Sequence, residues 1–146
     1  MTFLLDTNIL IYAVDKNEPD KQARATALLQ HLGGTNRAVL SAQILAEFAN
    51  AAMRRLQPPL SPEQTYRQVE RYEQIFQVLS LTPAVVLEAV RGVRDYQLAY
   101  YDAQIWAAAR LNQIPFVLSE DFNTDATLDG VTFLNPFADD FDLDTL

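Results

Sequence analysis

The chain has 146 residues, with half apolar and a fifth charged, which implies one globular domain with a sizeable core. It has no cysteine and a single histidine, His31, which excludes a disulfide scaffold, a thiol nucleophile, a thiolate zinc site and any multi-histidine metal site. Its net charge of −8 is wholly C-terminal: residues 1–110 balance 11 acids with 11 bases, and residues 111–146 hold eight acids and no base.

Taken in chain order, Thr2 to Leu5 is a short apolar run stopping at Asp6 and reads as a buried parallel strand. Thr7 to Val14 reads as a short helix, and Pro19 opens a second one that ends before Gly33-Gly34. Ala38 to Leu40 is a second strand. Ser41 then caps a helix reaching about Leu56, broken by Pro58-Pro59. Ser61-Pro62-Glu63-Gln64 carries a capping box and predicts a helix to about Phe76. Gln77 to Leu81 is a third strand, Thr82-Pro83 starts a helix to about Gln97, and a further helix spans Tyr101 to Asn112. Phe116 to Leu118 and Val131 to Phe133 complete about five strands. Strands alternate with helices, so βαβ crossovers and a mostly parallel sheet are expected. Residues 1–137 form the expected domain, and 138–146 are an acidic tail with Asp139, Asp140, Asp142 and Asp144. No basic leader precedes the first apolar run and no ~20-residue apolar stretch occurs, which predicts a cytoplasmic chain without membrane contact.

Open α/β sheets bind ligands outside the carboxyl ends of their strands. Asp6 directly follows the first strand, and Asp121 stands three residues after the end of the fourth. Asp6 alone also suits an N-cap, and Asp121 alone suits a surface loop. Asp102 has Ile105, Trp106 and Ala109 at +3, +4 and +7, so it lies on an apolar helix stripe. A carboxylate there is costly unless it is paired, binds a metal or sits at the helix N-terminus. Glu47 is the one acid within the nearly uncharged run Ile44 to Met53. No Lys or Arg adjoins any of the four in sequence. Clustered carboxylates without cations call for a divalent metal, and all-oxygen ligation points to Mg²⁺ or Mn²⁺.

The residues also carry a family resemblance. Phe3-Leu4-Leu5-Asp6-Thr7-Asn8 resembles the opening Asp-Thr-Asn motif of PIN-domain ribonucleases. Ser41 to Glu47 resembles their second motif, Tyr101-Asp102-Ala103 with its Ala-rich helix the third, and Leu118-Ser119-Glu120-Asp121-Phe122 the fourth. The run Gly130-Val131 to Asn135-Pro136-Phe137 is similar to a bacterial branch of the family. The resemblance implies a three-layer α/β/α sandwich and an Mg²⁺- or Mn²⁺-dependent endoribonuclease. It further implies a VapC-type toxin, commonly dimeric, that pairs with a small antitoxin. By position, Asp6, Glu47, Asp102 and Asp121 are the implied catalytic and metal-holding acids, with Thr7, Asn8 and Ser119 as supports. A fifth acid occurs in some members, and here Glu120, Asn123 and Asp125 all stand open for that role.

Arg54, Arg55, Arg91 and Arg94 are candidates for holding an RNA backbone. An acidic pocket also suits a basic segment of a protein partner, since a guanidinium bridges carboxylates. The apolar content of Ile75 to Leu81 and Pro83 to Val90 predicts self-association as a homodimer. Two other acidic-pocket enzymes fit poorly. An aspartyl phosphotransferase needs a second Asp where Asn8 stands, and a receiver domain needs a late Lys where none follows Lys21. The remaining alternative is a catalytically silent PIN-like module that sequesters a protein partner.

Overall fold

Phe3–Leu5 (β1) is fully buried, and its backbone is held on both sides by parallel neighbours. The computed structural model describes all residues from Met1 to Leu146. Asp6 leads β1 into α1 (Thr7–Ala13), which is followed by α2 (Pro19–Leu32) and β2 (Ala38–Ser41). Then come α3 (Ala42–Arg54), α4 (Pro62–Ile75), β3 (Gln77–Leu79) and α5 (Pro83–Tyr96). The chain finishes with α6 (Tyr100–Leu111), β4 (Phe116–Leu118), β5 (Thr127–Leu128), β6 (Val131–Leu134) and a 3₁₀ turn at Leu143–Thr145.

The helix starts follow the local chemistry read from the sequence. Ser41 Oγ accepts from Ile44 N, Ser61 and Gln64 close a capping box, and Thr82 Oγ1 accepts from Val85 N. Helices cover both faces of the sheet, whose order is β3-β2-β1-β4-β6-β5. All pairings are parallel except β5 with β6. The sheet therefore has six strands rather than about five. The added one is a two-residue antiparallel edge, too short to leave a periodic signal.

Sheet order decides where a site forms. The chain runs from β1 outward through β2 to β3, then returns to the other side of β1 for β4. The switch point lies between β1 and β4, and Asp6 and Ser119 are the residues that leave those two strands there. Asp6 N donates to Leu118 O at 3.0 Å, which keeps the two chain ends side by side.

Helices α5 and α6 pack closely because their contact residues are small. Ala103, Ala107, Ala108 and Ala109 are buried on α6. Gly92 of α5 faces Trp106, and a Cβ at position 92 would come within 2.8 Å of the indole ring. Trp106 Nε1 donates to Leu128 O at 3.1 Å and so satisfies the one polar atom of that buried ring. Leu81, Leu87 and Val90 remain exposed on and beside α5. Beyond residue 137, Leu143 and Leu146 pack against the core, and Arg24 Nη1 holds Ala138 O at 2.8 Å. No helix is long and apolar enough to cross a membrane.

Candidate active site

The cleft at the switch point is lined by Asp6, Glu47, Asp102 and Asp121 together, each from a different part of the chain. Asp6 is 4 % exposed and divides its two oxygens between two tasks. Oδ1 caps α1 by accepting from Thr7 N at 2.6 Å, and Oδ2 accepts from Ser119 Oγ at 2.6 Å. Asp6 is the helix cap read from the sequence, and the same side chain also lines the cleft. Its pKa is raised to about 6. Burial is the main cause, repulsion from Asp121 and Glu47 adds to it, and the hydrogen bonds from Ser119 and Thr7 oppose it.

Asp102 stands in the first turn of α6, half-buried, with its pKa raised by burial and then by Asp121 and Glu47. Glu47 projects from α3. Its Oε2 accepts from Thr7 Oγ1 at 3.2 Å and its Oε1 from Gln43 Nε2 at 2.6 Å. Asp121 accepts from Asn8 Nδ2 at 3.2 Å. The hydroxyl of Ser119 ties these parts together. While donating to Asp6, it accepts from Asp121 N at 3.0 Å and from Asn8 Nδ2 at 3.3 Å. Thr7, Asn8 and Ser119 thus each hold a different acid.

The acids sense one another's charge, yet no three of them surround a single point closely enough to hold an ion as placed. The oxygens of Asp6, Glu47 and Asp121 are drawn instead toward Thr7, Gln43, Asn8 and Ser119. The donor set fits a hard divalent cation in kind. It offers carboxylates without histidine or cysteine, and Asn8 Oδ1 is a buried acceptor with no hydrogen-bond partner. Mg²⁺ usually takes only one or two protein carboxylates and keeps several waters, so convergence of three is not required.

Of the residues left open as a fifth acid, Glu120 lines the cleft, whereas Asn123 and Asp125 do not. Glu120 is already engaged by Lys21 Nζ at 2.7 Å and by Tyr12 OH at 2.5 Å. Of the four arginines, Arg55 alone lines the cleft. Arg91 is bound to Glu88, Asp95 and Asp129, and Arg94 to Asp95. Arg54, Arg91 and Arg94 are not brought to the acids. Gln43 and Gln104, which belong to none of the expected site residues, also line the cleft. The available signal was an uncharged polar residue inside each of two apolar helix stretches, with Gln43 one turn before Glu47.

Residues 3–127 match the PIN domain family, and the chain belongs to it. No curated protein matches the chain in sequence. Among solved structures it is similar to a toxin–antitoxin complex from Klebsiella pneumoniae, at 20% identity and TM-score 0.63 over 93% of this chain and 98% of that one. It is similar to VapC20 of Mycobacterium tuberculosis, a sarcin–ricin loop cleaving toxin, at 15% identity and TM-score 0.67 over 88% and 98%. A DNA-bound VapBC from Salmonella typhimurium is similar at 20% identity and TM-score 0.67 over 93% and 98%. At these identities the likeness establishes a common fold.

Proposed function

We propose that the chain is a divalent-metal-dependent endoribonuclease acting on cytoplasmic RNA as the toxin of a toxin–antitoxin pair. The observation that carries this reading is the gathering of four acids from separate elements in one cleft, with Asp6 buried and its pKa near 6. Four carboxylates lining one cleft are costly unless a cation joins them. Asp6, Asp102 and Asp121 would hold Mg²⁺ or Mn²⁺, directly or through water, with Glu47 beside them. The bound metal supplies a water of lowered pKa and neutralises charge on the phosphodiester. The protein's own groups do the rest. Ser119 and Asn8 orient Asp6 and Asp121, Thr7 and Gln43 orient Glu47, and Arg55 draws the RNA backbone to the rim.

Toxin–antitoxin complexes among the similar structures support a small protein partner. The cleft chemistry suits a basic segment of that partner, whose guanidinium would compete with the metal. Exposed Leu81, Leu87 and Val90 support a homodimer, for which light scattering at micromolar concentration should give twice the chain mass. Cleavage of RNA with Mg²⁺ or Mn²⁺, lost on chelation and lost in Asp6→Asn, tests the enzymatic reading. A chain that never cleaves but still binds its partner would instead be the silent PIN-like module.

A further inference from the structure

Gln43 and Gln104 are 8% and 4% exposed, and a buried amide must find partners for both of its ends. Gln43 Nε2 lies 2.6 Å from Glu47 Oε1 and 3.0 Å from Tyr101 O. A carboxylate and a carbonyl only accept, so the nitrogen of Gln43 must face them and the orientation of its amide is settled. Its Oε1 then accepts from Gln104 Nε2 at 2.8 Å. That leaves Gln104 Oε1 to accept from Tyr100 OH at 2.9 Å. Every donor in the chain therefore points the same way, from Tyr100 through Gln104 and Gln43 to Glu47. Such aligned hydrogen bonds polarise one another.

The construction uses two one-turn pairs, Tyr100 with Gln104 on α6 and Gln43 with Glu47 on α3, joined crosswise by the two amides. It holds Glu47 by Oε1, while Thr7 holds Oε2. It also ties α3 to the backbone of Tyr101, the residue before Asp102. One amide group thus touches both the carboxylate of Glu47 and the backbone beside Asp102.

We infer that Gln43 and Gln104 are positioning residues for phosphodiester cleavage, a directed amide relay anchored at Tyr100 that holds Glu47 in register with Asp102. The consequence for catalysis rests on the nuclease reading, whereas the relay itself can be observed without it. The test uses the full ¹⁵N-labelled chain, with side-chain amide NMR beside RNA-cleavage kinetics. The Gln43 and Gln104 amide protons should exchange slowly. Tyr100→Phe, a mild change at a partly exposed site, should shift the Gln104 signal and then that of Gln43, and Glu47→Ala should shift that of Gln43.

In cleavage, Gln43→Leu should lower kcat roughly tenfold to a hundredfold, with KM changed by less than about twofold. Gln104→Leu should cost less, and the double variant should be no worse than Gln43→Leu alone, because Gln104 acts through Gln43. A Gln43 amide indifferent to both Glu47→Ala and Tyr100→Phe overturns the relay. So do kcat losses that multiply in the double variant, or a loss expressed in KM alone. Coupled amide signals in a chain that cleaves no RNA refute the nuclease reading and leave the relay standing as the device that positions Glu47.

Discussion

Ser119 Oγ donates to Asp6 Oδ2 at 2.6 Å across the gap between β1 and β4, and this bond holds the pKa of Asp6 below where burial alone would put it. Removing the hydroxyl removes a lowering influence, so the pKa of Asp6 in Ser119→Ala must rise above about 6. Because a proton on Asp6 competes with the metal, the acid limb of cleavage at subsaturating Mg²⁺ should therefore move to higher pH, with the plateau rate less affected than the rate at pH 6. A pH–rate profile with an unmoved acid limb contradicts this role of Ser119.

Asp6 should also weaken the metal-free protein at neutral pH. Its folded pKa of about 6 lies above the ordinary 3.8, so the folded state binds the extra proton. Stability is then highest below pH 3.8 with respect to this group and falls as pH rises to about 6. The shift corresponds to a cost of about 3 kcal/mol above that range. Asp6→Asn keeps an acceptor for Thr7 N and carries no charge. It should abolish cleavage yet raise the melting temperature by roughly 6–12 °C at pH 7.5, with the gain closing near pH 4. Equal melting curves at both pH values would falsify this account.

Two arginines should separate binding from folding. Arg55 lines the cleft, so Arg55→Ala should raise KM for RNA several-fold and reduce the salt dependence of binding by about one counterion. Arg91 is committed to Glu88, Asp95 and Asp129 and lies over the Trp106 ring. Arg91→Ala should lower thermal stability and leave the salt slope unchanged. Salt titrations of RNA binding with both variants distinguish the two roles, and matching slopes would contradict them.

Gly92→Ala should be a packing mutation, since the added methyl meets Trp106 Cζ3 at 2.8 Å and Cε3 at 2.9 Å. The ring is wedged against Tyr96 and hydrogen-bonded to Leu128 O, so it has little room to yield. A loss of roughly 1–3 kcal/mol is expected, read as a lower midpoint in urea with an unchanged slope. An unshifted midpoint would mean that α5 and α6 part more easily than their packing suggests.

The acids were legible in the sequence because each sits where local rules place it: Asp6 at a strand end, Asp102 on an apolar stripe, Glu47 in an uncharged run. The supports Thr7, Asn8 and Ser119 were legible as motif residues, but which acid each one holds depends on how β1, α3 and β4 meet. Arginine directions were not readable, because a long side chain goes where its ion-pair partners are. Asp129, which captures Arg91, lies 38 residues away. Gln43 and Gln104 stayed hidden for a similar reason. Each looks like an ordinary helix residue until the other is seen against it, 61 residues apart. The edge strand Thr127–Leu128 is too short for any periodicity to reveal.

The bond between Asp6 and Ser119 spans 113 residues of sequence, and it joins a middle strand to one made late. A ribosome adding roughly 5–20 residues per second needs about 6–23 s to travel from one partner to the other. Until β4 emerges, Asp6 has no neighbour on that side and the cleft does not exist. Every truncated product short of Asp121 lacks one wall of the site. The four acids can therefore share one cleft only after β4 and the residues up to Asp121 have been made.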